Sequence, residues 1–327
     1  MASASELPFS IKNVTEEEDT VLKKYYKGYT RPFVRVGPRG YLLTPGYADH
    51  AADIYNLEVR PDDRWVVTFS RSGTTWLQEL AWLVDNDLDY TTAENVPLSK
   101  RFAFIEYPTQ ASDIKKSTPN TKYKGLPTEH DFTDVHTLPS PRYFKTHLPF
   151  SLLPPKLLDA KVMYVARDVR DVAVSFFFMH KLFRYFDDDV EFKEYWKLFK
   201  KDLLFHMPIF PHIEEAWRKR HHPNVLFTFY EEMQKDLRGV VDKVCIFLGK
   251  EYTSEQKDAL VKHLSFDNMN KSSADTQKGN DSEMKFLRKG KSGNWINYFD
   301  EQMTKEAEEY IQKHLQDTDL RFPDASS

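Results

Sequence analysis

The sequence has little cysteine, little net charge and no long apolar run. Cys245 is the only cysteine among 327 residues, which excludes an intrachain disulfide and a metal cage built from cysteines. Lys and Arg number 46 against 50 Asp and Glu, a net charge of −4 that argues against a dedicated nucleic-acid binder. No segment offers the ~20 apolar residues that span a bilayer, and the N-terminus lacks the pattern of a signal peptide. These absences predict a cytoplasmic protein that binds neither membrane nor nucleic acid.

What the chain does contain is a set of β-rich runs that alternate with helical stretches. The runs are Trp65 to Phe69, Arg142 to Lys145, Val162 to Ala166 and Val225 to Tyr230. Each precedes a helix-like stretch; after the first, Trp76, Leu80 and Val84 recur at a helical spacing of four. Parallel neighbours need crossover connections, so the alternation predicts an α/β fold, a three-layer sandwich with a mainly parallel central sheet.

The rest of the chain divides into further helices and polar segments. Helices are predicted at 206–221, 231–248, 253–264 and 301–316. The polar segments 108–141 and 268–284 have no periodicity and predict mobile surface loops. No internal repeat or linker separates these parts, so we expect a single domain over 1–327.

The segment SRSGTTW, Ser70 to Trp76, lies where a predicted strand passes into a helix. A helix N-terminus has unpaired N–H groups and the positive end of the helix dipole, which attract anions. Gly73 lets the backbone approach such an anion, Ser72, Thr74 and Thr75 add hydroxyl donors, and Arg71 adds a fixed positive charge. This pattern predicts an anion-binding turn; an ordinary Gly-containing βα turn is the alternative.

Functional side chains recur at the other strand ends. Lys145 and His147 follow the second run, Arg167 and Ser175 follow the third, and Tyr230 closes the fourth. Ligands of open α/β sheets bind beyond the carboxyl ends of the strands, so these groups are expected to converge. The charge of Lys145 lowers the pKa of a neighbouring imidazole, which makes His147 a candidate general base.

Together the segments resemble the cytosolic sulfotransferase family over most of the chain. The matching segments are RPDDRWVVTFSRSGTTW (60–76), KTHLP (145–149), VARDVRDVAVS (165–175) and RKGKSGNW (288–295). The Arg-containing turn within 60–76 and the KTHLP segment are most similar to the insect branch of the family, which includes a retinol dehydratase. The resemblance implies that 3′-phosphoadenosine 5′-phosphosulfate (PAPS) is the sulfuryl donor, that 3′,5′-adenosine bisphosphate (PAP) is the product, and that no metal takes part.

The resemblance also implies roles for individual residues. Arg71, Ser72, Gly73, Thr74 and Thr75 match the positions that hold the 5′-phosphosulfate, and Arg167, Ser175, Arg288, Lys289 and Gly290 match those that hold the 3′-phosphate. Trp76, Tyr230 and Phe266 match positions around the adenine. His147 matches the general base, assisted by Lys145 and Arg71. The aromatic residues Phe102, Phe104, Tyr107, Phe177 and Phe178 are candidates for the pocket of a small hydroxyl-bearing acceptor such as a phenol, steroid or alcohol.

The sequence departs from the family pattern at a few positions. Arg71 stands where the family usually has Lys, which keeps the charge and changes the donor geometry. Leu264 replaces a hydroxyl-bearing residue near the adenine. The family's dimerisation pattern is missing, since its positions hold Ile296, Asp300, Glu301 and Lys305.

Three other functions fit parts of the sequence. A P-loop kinase would need Gly at position 285 before Gly290, Lys291 and Ser292, and Lys285 stands there. A noncatalytic nucleotide-binding protein is disfavoured by His147 beside Lys145. The same fold could also dehydrate an allylic alcohol through a transient sulfate ester.

Overall fold

The computed structural model describes residues 7–107, 109, 135–183, 185–273 and 290–323, without the side chains of 270–273. Its central strands are β4 (Arg64–Val67), β5 (Ala103–Phe104), β6 (Tyr143–Thr146), β7 (Lys161–Ala166) and β8 (Val225–Phe229). They form one parallel sheet in the order β5-β6-β4-β7-β8. The predicted α/β fold with a mainly parallel sheet is confirmed.

Helices cover this sheet, and three further strands form a second, smaller sheet. In chain order the helices are α1 (Glu16–Tyr25), α2 (Tyr47–Tyr55), α3 (Thr74–Asp85), α4 (Tyr90–Asn95), α5 (Leu98–Arg101), α6 (Val169–Leu182), α7 (Phe192–Lys200), α8 (Ile209–Trp217), α9 (Tyr230–Lys235), α10 (Leu237–Leu248), α11 (Ser254–His263), α12 (Phe266–Ser273) and α13 (Glu301–Leu315). The antiparallel strands β1 (Ile11–Asn13), β2 (Val34–Val36) and β3 (Tyr41–Leu43) form the second sheet. No helix in the described ranges is long and apolar enough to cross a bilayer.

Strand β4 shows why the central sheet is covered on both faces. Trp65 and Val67 point into one hydrophobic cluster, and Val66 points into another that contains Leu77 and Leu80 of α3. All five side chains are fully buried. A parallel strand buried on both faces is a continuous apolar run, which is the pattern that made β4 recognisable in the sequence.

The register of the sheet places three strand ends side by side. Val67 of β4 pairs with Thr146 of β6 on one side and with Tyr164 of β7 on the other. The turn after β4 therefore lies between the segments that follow β6 and β7. This edge of the sheet is where the predicted functional residues begin.

Two helix predictions need correction. The helix predicted over 231–248 is two helices, because Asp236 leaves helical geometry (φ −143°, ψ 71°) and its carboxylate accepts the Gly239 N–H at 2.8 Å. Asp236 thus ends α9 and caps α10. The helix predicted over 206–221 spans only Ile209–Trp217, with Pro208 directly before its first turn.

Other expectations about connections were also wrong in part. Strand β6 is followed by a short 3-10 helix, Phe150–Leu152, and not by an α-helix. Helix α12 covers the start of the loop predicted at 268–284. The remainder of that loop, and most of the loop predicted at 108–141, lie outside the described residues.

Candidate active site

The turn after β4 wraps backbone and hydroxyl groups around the start of α3. Arg71 (φ 69°) and Gly73 (φ 112°) both have left-handed backbone, and α3 begins directly after Gly73. The first N–H groups of this twelve-residue helix have no partner within the helix and attract anions. The Ser72 hydroxyl is buried with no hydrogen-bond partner among the described residues. The Ser72 hydroxyl and the first N–H groups of α3 can therefore donate hydrogen bonds to a bound anion.

Two arginines and a serine from different segments meet beside this turn. Arg71 Nε donates to Ser175 Oγ at 3.1 Å. Arg167 Nη1 donates to the Arg71 carbonyl oxygen at 3.2 Å, and its guanidinium lies 4.2 Å from the centre of the Tyr230 ring. Arg167 Nε is buried without a partner in the described part of the chain. The structure thus brings four of the predicted site residues into one cationic cluster.

The turn that starts at Gly290 is fastened to the same cluster. Gln234 Nε2 donates to the Gly290 carbonyl oxygen, and Gln234 Oε1 accepts the Ser292 N–H at 2.6 Å. Arg167 Nη2 donates to the Lys291 carbonyl oxygen at 3.2 Å. Arg288 and Lys289, which precede this turn, lie outside the described residues, so their roles stay predictions.

Asp171 holds the other end of that turn against helix α6. Its Oδ2 accepts the Gly293 N–H at 2.7 Å and its Oδ1 accepts the Trp295 N–H at 3.0 Å. Burial raises the pKa of Asp171, while the charge of Arg167 and these two N–H groups oppose the rise. The sequence motif contains Asp171 without indicating its role, and Gln234 was missed, because an anchoring contact leaves no local sequence pattern.

Aromatic rings leave no room for side chains at two of the glycines. A Cβ on Gly73 would lie 2.7 Å from the Tyr230 ring, and one on Gly290 would lie 2.0 Å from the Phe266 ring. Trp76 packs edge-on against Tyr230 with ring centres 5.5 Å apart. The Trp76 indole N–H donates to the Leu264 carbonyl oxygen at 2.9 Å, so position 264 supplies a backbone acceptor. The predicted adenine-site aromatics therefore flank both turns.

His147 lies just beyond the end of β6 and faces back toward β4. Its Nδ1 is 3.0 Å from the Thr68 carbonyl oxygen. A carbonyl oxygen only accepts, so Nδ1 carries the proton and Nε2 is left with a free lone pair. Burial, and then the charge of Lys145, lowers the pKa of His147 well below its usual value. The imidazole is therefore neutral at physiological pH.

Glu106 is a buried carboxylate beside His147, and no pattern in the sequence indicated it. One carboxylate oxygen accepts the His147 backbone N–H, and the other is buried without a partner among the described residues. Burial raises the pKa of Glu106 and lowers the pKa of Lys145, and the attraction between the two opposes both shifts. Glu106 follows β5, whose two residues are too few for a strand pattern, so the rule about strand ends could not be applied to it.

A second buried histidine orients the segment that carries His147. The Tyr164 hydroxyl lies 2.8 Å from His212 Nδ1, and His212 Nε2 lies 3.1 Å from the His147 carbonyl oxygen. Because the carbonyl oxygen accepts, His212 donates from Nε2, and its Nδ1 accepts a hydrogen bond from the Tyr164 hydroxyl. Burial lowers the pKa of His212 to about 4, so this chain of bonds stays neutral.

Two of the five candidate pocket aromatics lie beside His147. Phe104 packs edge-on against His147 with ring centres 5.4 Å apart, and Tyr107 contacts Phe104. The other three are Phe102, which packs on Tyr143 in the opposite cluster, and Phe177 and Phe178, which pack on Phe192 and Tyr298. Phe104 and Tyr107 are therefore the candidates whose contacts support a place beside the histidine.

The residues present fit a ligand that carries more than one anionic group. Ser72 Oγ and Arg167 Nε are buried polar atoms whose partners are missing from the described residues. One lies in the turn at the start of α3 and the other in the cluster that faces the Gly290 turn. Among the described residues, no group of three or more His, Cys, Asp or Glu side chains could hold a metal ion.

Comparison with known proteins identifies the class. The Sulfotransferase domain family matches residues 61–319, and the chain belongs to that family. It is therefore a PAPS-dependent transferase, and the resemblance seen in its motifs is confirmed.

Several relatives extend over nearly the whole chain. Luciferin sulfotransferase of Photinus pyralis is 30% identical over 93% of this chain and 85% of its own. Human sulfotransferase 1C2 is 28% identical over 86% and 93%. The crystal structure of retinol dehydratase with retinol and PAP is 37% identical, has a TM-score of 0.87, and covers 97% of this chain and 99% of that one. A second structure of retinol dehydratase holds androsterone and PAP and is 38% identical, with the same TM-score and 97% and 98% coverage.

Proposed function

We propose that this chain transfers the sulfuryl group of PAPS to the hydroxyl of a small apolar acceptor in the cytoplasm, with His147 as general base and without a metal ion. The tautomer of His147 is the observation that supports the proposal most directly. The Thr68 carbonyl oxygen fixes the proton on Nδ1, which leaves Nε2 as the proton acceptor. The lowered pKa of His147 keeps that nitrogen unprotonated.

The donors of the turn after β4 and of the adjoining cationic cluster support PAPS as the sulfuryl donor. When bound, PAPS supplies an activated sulfuryl group and leaves as PAP. The Arg71 turn, with Ser72, would hold its 5′-phosphosulfate through N–H and hydroxyl donors at the start of α3. Arg167 and Ser175, with the Gly290 turn, would hold its 3′-phosphate.

The acid–base step follows from the positions of the charged groups. His147 Nε2 would take the proton of the acceptor hydroxyl, whose oxygen would bond to sulfur as the bond between sulfur and the 5′-phosphate oxygen breaks and PAP leaves. Arg71 and Lys145 place positive charge where negative charge develops, and a well-placed donor contributes roughly 3 to 4 kcal/mol. A sulfuryl group carries less negative charge than a terminal phosphoryl group, so fixed cations can take the place that magnesium has in kinases.

The acceptor class rests on the surroundings of His147 and on the relatives. Phe104 and Tyr107 give the space beside His147 an apolar wall. The relatives include a luciferin sulfotransferase and a dehydratase whose structures hold retinol or androsterone. These observations support a small apolar molecule that bears a hydroxyl group.

A second candidate function is net dehydration of an allylic alcohol. The similarity to retinol dehydratase over nearly the whole chain favours it. Sulfuryl transfer would first make a sulfate ester, and cleavage of its carbon–oxygen bond with loss of a proton from carbon would then give sulfate and an alkene. The first step is the same as in the main proposal, so the two differ only in the fate of the ester.

The test combines product analysis with one variant and a control. With PAPS, the wild-type protein should convert members of a panel of phenols, steroids and a retinoid into sulfate esters. Formation of an alkene from the retinoid would show that the protein dehydrates it. We expect His147→Ala to lower turnover by about 10² to 10⁴-fold with PAP affinity unchanged. His221 is an exposed histidine, so His221→Ala should leave turnover and PAP affinity unchanged.

Three results would contradict the proposal. Retained turnover in His147→Ala would remove His147 as the base. Binding of PAP without turnover of any acceptor by the wild type would favour a noncatalytic nucleotide-binding protein. Preference for ATP with magnesium dependence would favour a kinase.

A further inference from the structure

His206 has a backbone conformation that side chains rarely adopt. Its φ is 71°, in the left-handed region. Hydrogen bonds on either side hold it there, since the His206 N–H donates to the Leu42 carbonyl oxygen and the Leu42 N–H donates to the Met207 carbonyl oxygen, both at 2.7 Å. The residue is 4% exposed. Non-glycine residues that persist in this region concentrate at functional sites.

The side chain of His206 reaches the turn after β4. Its Nδ1 lies 2.9 Å from the hydroxyl of Ser70, which is 3% exposed. Arg71, the next residue, has φ 69°. One buried hydrogen bond therefore joins two segments that each hold a non-glycine residue in left-handed geometry.

The same imidazole also faces the general base. The ring centres of His206 and His147 are 5.6 Å apart. Burial lowers the pKa of His206 to about 3, so the ring is neutral and its bond to Ser70 does not depend on pH near neutrality. His206 thus contacts both the residue before Arg71 and the ring of His147.

We infer that Ser70 and His206 form a positioning pair that fixes the Arg71 turn against the general base His147. The inference rests on the proposed function. Neither residue of the pair contacts the reacting atoms. The pair acts by positioning Arg71, whose guanidinium must meet the phosphosulfate, and by setting the distance between the Arg71 turn and His147. A displacement of about 1 Å in such a constellation can cost about 10²-fold in rate.

Five variants, one of them a control, separate this role from simple packing. Ser70→Ala and His206→Ala each remove one partner, and their combination completes a double-mutant cycle. His206→Asn is the conservative variant, because Asn tolerates left-handed backbone and its amide can bond a hydroxyl. Tyr252→Phe is the matched control: it removes one hydroxyl, bonded to the Val84 carbonyl oxygen at 2.8 Å, away from the turn.

The measurements are kcat and KM for PAPS, PAP affinity by calorimetry, and hydrogen exchange of peptides covering 69–75 in the ligand-free protein. We expect each Ala variant to lower kcat/KM by at least about tenfold and to speed exchange in the turn. The two single substitutions break the same hydrogen bond. The kcat/KM of the double variant should therefore lie within about twofold of that of the more impaired single variant. His206→Asn should recover to within about threefold of wild type, and Tyr252→Phe should match wild type.

Defined results would overturn the pairing. These are Ala variants that fold and keep wild-type rates and exchange, effects that multiply in the double variant, or an Asn variant as impaired as Ala. Failure of the proposed function is distinguishable, because wild-type protein would then turn over no acceptor. The exchange and PAP-affinity measurements would still test the pair, and unchanged exchange in 69–75 would overturn it.

Discussion

Gly290→Ala tests whether the Phe266 ring and the Gly290 turn form one surface of the donor site. Gly290 has φ +58°, and an added Cβ would lie 2.0 Å from the Phe266 ring. Gly249 is a matched control, because it has φ +68° with nothing within 4 Å of an added Cβ. Both substitutions carry the cost of left-handed backbone, about 1 to 2 kcal/mol. Only the first adds a collision with an aromatic ring.

The size of the effect follows from that collision. Ordinary contact begins at 3.4 Å, so a Cβ at 2.0 Å forces the ring or the turn to move by more than an ångström. We expect the affinity for PAP to fall by about 10 to 100-fold in Gly290→Ala, or roughly 1.4 to 2.8 kcal/mol. Gly249→Ala should lower the free energy of unfolding by about 1 to 2 kcal/mol with PAP affinity unchanged.

Isothermal titration calorimetry with PAP, beside denaturant unfolding of the free proteins, separates the two effects. Wild-type PAP affinity in a folded Gly290→Ala protein would contradict this prediction, because the ring and the turn would then play no part in donor binding. Equal losses of PAP affinity in both variants would refute it too, since the backbone cost alone would explain them.

Other predictions concern protonation and the anchoring of the Gly290 turn. Because burial and the Lys145 charge lower the pKa of His147, kcat/KM should stay constant to well below pH 6.5 and be lost only as pH falls through that lowered value; an acid limb between pH 6 and 7 would contradict it. Burial lowers the pKa of Lys145, so activity should be lost as pH rises, starting well below the usual lysine value of about 10.4. If Lys145→Arg is active, it should lack this alkaline limb, since a guanidinium stays charged. Asp171→Asn should weaken PAP binding by about tenfold in calorimetry, because it weakens two charge-assisted bonds to the turn; unchanged affinity would remove Asp171 from the anchor.

The sequence predicted those parts of the fold whose signal is local. Strands β4, β6, β7 and β8 are rich in β-branched and aromatic residues, and each was found to within a residue or two. The two-residue β5 and the three-residue strands of the smaller sheet have no such pattern, since their pairing depends on distant partners. The break between α9 and α10 does have a local sequence signal. Asp is a preferred N-cap residue, and the Asp236 carboxylate accepts the N–H of Gly239, three residues later.

For the candidate site, the strand-end rule correctly placed Arg71, His147 and Arg167 at one edge of the sheet. It could not find residues whose role is to hold others. His206 follows no strand, and the importance of its position lies in a backbone angle and a bond to Ser70 that only the folded chain has. Contacts between distant segments leave no local periodicity to detect.

The proposed donor site joins parts of the chain that lie far apart in sequence. The turn after β4 comes from the first quarter of the chain, whereas the Gly290 turn comes just before the final helix and is fastened by Arg167 and Asp171. A nucleotide that grips both would fasten the C-terminal segment onto the sheet. At a hundred times its dissociation constant, such a ligand stabilises the native state by about 2.7 kcal/mol. The supply of PAPS in a cell would then influence how much of this protein survives heat and proteolysis, as well as how fast it works.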